Sequence, residues 1–72
     1  MIITQREAQD DYHAQMIAQG MENAGAEVFS ITKDLSGNIQ VYCRHSKTLS
    51  GKKIDNAINE EVSSRAMCYA AA

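Results

Sequence analysis

The residues of this chain that could do chemistry are few and scattered. The soft metal ligands are His13, Cys43, His45 and Cys68. Zinc wants four such ligands in a tetrahedron, commonly supplied as tight pairs. Cys43-x-His45 on a strand shares one face, but neither His13 nor Cys68 has a neighbour at ligand spacing. No metal is expected, and no other cofactor. Cys and His also make a nucleophile and base, yet a chain of 72 residues leaves little volume for a cleft. The carboxylates Asp10-Asp11 and Glu60-Glu61 are adjacent in sequence, and adjacent side chains on a helix do not face each other. There is no phosphate-cradling glycine loop, no HExxH and no GxSxG. The chain is not expected to be an enzyme.

The cations are better grouped. Residues 1–31 hold Arg6 against Glu7, Asp10, Asp11, Glu22 and Glu27, a net −4. Residues 32–53 hold Lys33, Arg44, Lys47, Lys52 and Lys53 against Asp34, a net +4. Residues 54–72 return to −2, and the whole chain is −2. Lys52 and Lys53 follow Ser50-Gly51, where a helix is expected to start. Lysine is unfavourable there, because that helix end already carries partial positive charge. With Arg44 and Lys47 the pair could form a small anion site. A solvated basic turn, balanced by Asp55 and the acidic first helix, is the more ordinary reading. Ser50-Gly51-Lys52-Lys53 resembles the start of the last helix in double-stranded RNA-binding domains, which also follow a helix–sheet–helix order. The resemblance covers those four residues and the order of elements, and implies phosphate contacts at the lysine pair.

The element that must position these groups is the stretch Ala26–Ser46. Asp34-Leu35-Ser36-Gly37 is a turn signal: Asp bonds forward to the turn backbone, and Gly accepts positive φ. It predicts a type I turn with a G1 bulge. If Asp34 faces Asn38, then Lys33 faces Ile39, Thr32 faces Gln40, Ile31 faces Val41 and Ser30 faces Tyr42. Further out, Phe29 faces Cys43, Val28 faces Arg44 and Glu27 faces His45. Alternation then gives one core face of Phe29, Ile31, Ile39, Val41 and Cys43. The other face carries Val28, Ser30, Thr32, Gln40, Tyr42 and Arg44.

Both flanks read as helix. Thr4-Gln5-Arg6-Glu7 matches a capping box, so a helix is expected from about 5 to 24. Its apolar side is Ala14, Ile17, Ala18, Met21 and Ala24, with Tyr12 and Met16 flanking. Gly20 inside it marks close packing, a bend or an early end; Gly25 is the stop. Thr48 or Ser50 caps a second helix, from about 51 to 69. Its apolar side is Ile54, Ala57, Ile58, Val62, Ala66 and Tyr69.

The fold class is therefore α+β, one domain over 1–72: helix, strand about 26–33, strand about 38–45, helix. Two helices pack on one face of an antiparallel hairpin. A lone hairpin is marginal and has two open edges, so a homodimer with a four-stranded sheet is expected. No apolar run reaches the ~18 residues of a membrane span, and two distant cysteines without a signal peptide suit a reduced, cytoplasmic setting.

A chain beginning at Met1 with no catalytic constellation suits a regulator, adaptor or inhibitor that binds another protein. Phages and mobile elements are one setting for inhibitors of this size. Tyr and Arg are favoured at binding hot spots, so the expected surface is Gln40, Tyr42, Arg44, Lys47, Lys52 and Lys53. The alternative is nucleic-acid binding by Arg44, Lys47, Lys52 and Lys53.

Overall fold

A computed structural model describes residues 1–71, with side chains as far as Arg65. Ala66 and Tyr69 of the expected second-helix face, with Met67 and Cys68, lie outside the described side chains. The elements are β1 (Ile2–Ala8), α1 (Asp11–Asn23), β2 (Glu27–Lys33), β3 (Ile39–His45) and α2 (Gly51–Ala71). They form an α+β fold in which one antiparallel sheet has the order β1-β3-β2.

The largest departure from the sequence expectation is β1. Residues 5–8 lie on a strand, and the helix expected from about 5 begins only at Asp11. The capping-box pattern at Thr4–Glu7 is a coincidence of spacing. What wins is the central strand's need for a partner on each side, since both rows of its backbone groups must be satisfied. The β-branched Ile2-Ile3-Thr4 suits a strand, and Ile2 to Ala8 pair rung by rung with His45 to Ile39. The true N-cap is Asp10, whose carboxylate accepts from the His13 backbone N–H at 2.7 Å. The His13 ring returns the favour, its Nδ1 accepting from the Gln9 N–H.

β1 and β2 both run antiparallel to β3. They are therefore parallel to each other with β3 inserted between them, a split β-α-β unit bridged by α1. The sheet has three strands rather than the two expected, and β1 covers the edge of β3 expected to be open.

α1 stops where expected. Gly25 takes φ +102°, its N–H bonds to Glu22 O, and Ala26 N–H bonds back to Met21 O at 2.9 Å. That is a Schellman cap, with Met21 and Ala26 meeting in the core. The hairpin turn also forms as read. Gly37 has φ +94° and donates to Asp34 O, while Asp34 Oδ1 accepts from the N–H groups of Ser36 and Asn38 and from the Ser36 hydroxyl. Ser50, the second of the two expected caps, accepts from Lys53 N–H at the start of α2.

The register holds from Lys33–Ile39 out to Ser30–Tyr42 and then slips. A bulge at Phe29 sets Val28 against Cys43 and Glu27 against Arg44. The expected pairs Phe29–Cys43, Val28–Arg44 and Glu27–His45 do not form; His45 pairs with Ile2 instead. A bulge sets two residues against one and shifts the phase of every side chain beyond it. Val28 thus joins the core side, and Phe29 leaves it.

Both helices cover the same face of the sheet. Ile39, Val41 and Cys43 of β3 meet Ala14, Ile17 and Met21 of α1, with Ile54 and Ile58 of α2 completing the core. Ile31 shares the covered face by register but stays 53% exposed on the edge strand. Gly20 marks close packing. A Cβ there would lie 2.6 Å from Ile58 Cα and 2.8 Å from its backbone nitrogen, so only glycine allows this approach. α2 is also tied to β1 by a bidentate pair from Arg6 to Asp55, at 2.7 and 3.2 Å. Among the described residues no helix is long and apolar enough to cross a membrane.

Candidate functional site

Chemistry-bearing residues gather in three places, and alternation on β3 separates the first two. Ile39, Val41, Cys43 and His45 are buried, whereas Gln40, Tyr42 and Arg44 point to the face that no helix covers.

On the covered face His45 is only 4% exposed, yet both ring nitrogens are bonded. Nδ1 lies 2.9 Å from Ser46 O and Nε2 lies 2.7 Å from Thr4 Oγ1. A carbonyl only accepts, so Nδ1 carries the hydrogen, and Nε2 pairs with the Thr4 hydroxyl. Cys43, fully buried next to Thr4, is pushed up from its usual thiol range by burial; Thr4 backbone bonding and the Arg6 charge oppose this. Such a thiol is a poor nucleophile. Cys43 and His45 do share a face, but their environment is that of packed core. Among the described residues no three His, Cys, Asp or Glu side chains gather where a metal ion would sit.

The uncovered face is a different material. Tyr42 lies at its centre, flanked by Gln5 of β1 and Ser30 of β2. The Phe29 ring sits 6.3 Å from the Tyr42 ring, centroid to centroid, tilted by 48°. Arg44 lies over the Phe29 ring, its Cζ 4.9 Å from the centroid. Arg44 also faces Glu27 at 3.6 Å. Ile3, opposite Arg44, is 64% exposed, and Phe29 is 42% exposed. Gln5 donates from its amide to Gln40 on the neighbouring strand, and Glu7 closes the far end opposite Gln40. The face therefore has an aromatic pair, Tyr42 and Phe29, among polar Gln5, Ser30 and Gln40, with Ile3, Arg44 and Glu27 on the rung at one end and Glu7 at the other.

The third place is the start of α2. Lys47 lies exposed in the β3–α2 connection, and Lys52 and Lys53 are exposed in the first turn of a helix in the covering layer. Of the six residues expected to form one surface, Gln40, Tyr42 and Arg44 come together. Lys52 and Lys53 belong to the opposite layer, because α2 folds back over the other side of the sheet. Arg44 is engaged by Glu27 and Phe29 rather than pooled with the lysines. The element order behind the resemblance to double-stranded RNA-binding domains is also not observed, since the chain opens on a strand.

Phe29, Ile3, Gln5 and Glu7 share this face and are not among the residues expected there from the sequence. Unbroken alternation puts Phe29 in the core, and the other three fall in the expected helix or its lead. The available signal was the Ile-Ile-Thr start of β1 and the Asp10-Asp11 pair, which offers a later N-cap. Compared with family models, with curated proteins and with solved structures, the chain has no match.

Proposed function

We propose that this chain is a non-enzymatic binding module that engages another protein through the uncovered sheet face, as a regulator, adaptor or inhibitor does. The observation that carries this reading is the cluster of Phe29, Tyr42 and Arg44 beside exposed Ile3, on a face with no covering layer. Aromatic and Arg side chains held against one another lose little entropy on binding, and they dominate hot spots. The glutamines supply amides on the same surface. The buried state of Cys43 and the doubly bonded ring of His45 favour a structural role for both. Phosphate binding by Arg44, Lys47, Lys52 and Lys53 has less behind it, because those cations are divided between two layers.

The test is affinity capture from the source cell with the intact chain and with the double variant Tyr42→Ala, Arg44→Ala. A protein held by the first and lost from the second, with unchanged circular dichroism, is the expected result. Equal capture by both, or retention only of nucleic acid that elutes steeply with salt, would sink the assignment of this face.

A further inference from the structure

The sheet ends in two edges, and they are built differently. β2 carries the bulge between Val28 and Ser30. Before it, Glu27 shares the uncovered face and Val28 the covered one; after it, Ser30 and Thr32 share the uncovered face and Ile31 and Lys33 the covered one. The two halves are out of phase, so no strand laid along β2 keeps its faces matched over the whole length. Bulges and lysines on an edge are devices that discourage pairing.

β1 has none of these. Ile2–Ala8 is in unbroken register with β3 and contains neither Gly nor Pro; its first residues Ile2 and Ile3 are 40 and 64% exposed, and Met1 just before it is 88% exposed. A long, regular edge with apolar side chains is a template for another strand.

We propose that the β1 edge pairs with β1 of a second copy, antiparallel and centred on Gln5, to make a continuous six-stranded sheet. Self-complementarity names the occupant. Gln5 is the midpoint of Ile2–Ala8. Centring there sets Gln5 against Gln5, Thr4 against Arg6, Ile3 against Glu7 and Ile2 against Ala8. Every rung is used, the faces match, and no like charges are opposed. Centring one residue later would set Arg6 against Arg6. Centring one earlier would leave Ala8 unpaired and draw in Met1.

Arg6 is compatible with this pairing. Its Nε and one terminal nitrogen hold Asp55, and the other donates to Gln5 O at 2.7 Å. A carbonyl has two lone pairs, so Gln5 O retains one for a strand neighbour. The gain answers a weakness of the fold, whose least extent is only 15 Å. A domain of this size buries a smaller share of its unfolded surface than a larger one does and is marginal alone.

The experiment uses the full chain. Light scattering after size exclusion, across the micromolar range, is expected to read twice the chain mass. Gln5→Cys is expected to give a disulfide-linked dimer on mild oxidation, lost on reduction. Ile31→Cys, on the β2 edge, and the unsubstituted protein as control for its native cysteines are expected to give none. A monomer mass throughout, or cross-linking through Ile31→Cys and not Gln5→Cys, would overturn the proposal. Light scattering on the Tyr42→Ala, Arg44→Ala variant separates this edge from the binding face, since those side chains project from the sheet and not from its edge.

Discussion

The two faces of β3 are made by alternate residues of the same seven-residue strand, yet they obey different constraints. On the covered face Ile39, Val41 and Cys43 are at most 2% exposed. Their identities are limited by volume, because a packed interior resists even one methylene of change. On the uncovered face Gln40, Tyr42 and Arg44 touch only neighbours in the sheet and solvent. Nothing in the fold demands an aromatic ring at 42 or a guanidinium at 44. The contrast teaches where to look for function in a thin domain: the residues that stability leaves unconstrained.

That contrast can be broken first at its strongest point. Ile39→Ala removes buried methylenes under α1 and is expected to cost about 2–5 kcal/mol. Its neighbour Gln40→Ala should cost about 0.5 kcal/mol, the range of surface changes. Denaturant melts of the two single variants measure both. Similar costs would show that the uncovered face is structural after all.

A second test sharpens the picture of the covering layer. Replacing an exposed helical glycine by alanine usually gains about 1 kcal/mol. Gly20→Ala is expected to reverse that sign and lose about 1–3 kcal/mol, because its Cβ meets the backbone of Ile58 rather than a movable side chain. A thermal melt reads the sign directly, and a gain in stability would mean that α2 can shift away without loss.

The smallest expected effect concerns the turn that sets the phase between the faces. The Asp34 carboxyl is held below its ordinary value, chiefly by the Ser36 hydroxyl; desolvation opposes this, and the backbone N–H groups of Asn38, Ser36 and Gly37 add to the lowering. A depressed folded value means that the carboxylate stabilises the fold above its ordinary pKa of 3.8. That contribution is lost as pH falls through the lower, folded value. Asp34→Asn should therefore lower the melting temperature slightly near neutrality and change it least below the folded value, which flattens the acid limb of a melting-temperature profile. An acid limb identical to that of the unsubstituted chain would remove Asp34 from the account.

Much of the candidate site was legible because β3 keeps strict alternation. Counting outward from Asp34 placed Gln40, Tyr42 and Arg44 on one face, and the structure agrees. The grouping of those residues with Lys52 and Lys53 failed for a geometric reason. Closeness in sequence across a turn does not survive when the next helix returns over the opposite side of the sheet.

By itself the sequence determined the features whose causes are local. The Asp34–Gly37 turn, the first four rungs beyond it, the Schellman stop at Gly25, the Ser50 cap, the apolar side of α1 and that of α2 as far as Val62 each depend on patterns within a few residues. Only the tertiary structure decided the rest. Ile2–Ala8 became a strand because β3 offered it an unpaired edge, overriding a capping pattern worth about 1 kcal/mol. Phe29 moved to the uncovered face because a bulge changed the phase of β2. Gly20 acquired its role because α2 lies against it. Each of these depends on a partner distant in the chain, and local propensity carries no information about where that partner will lie.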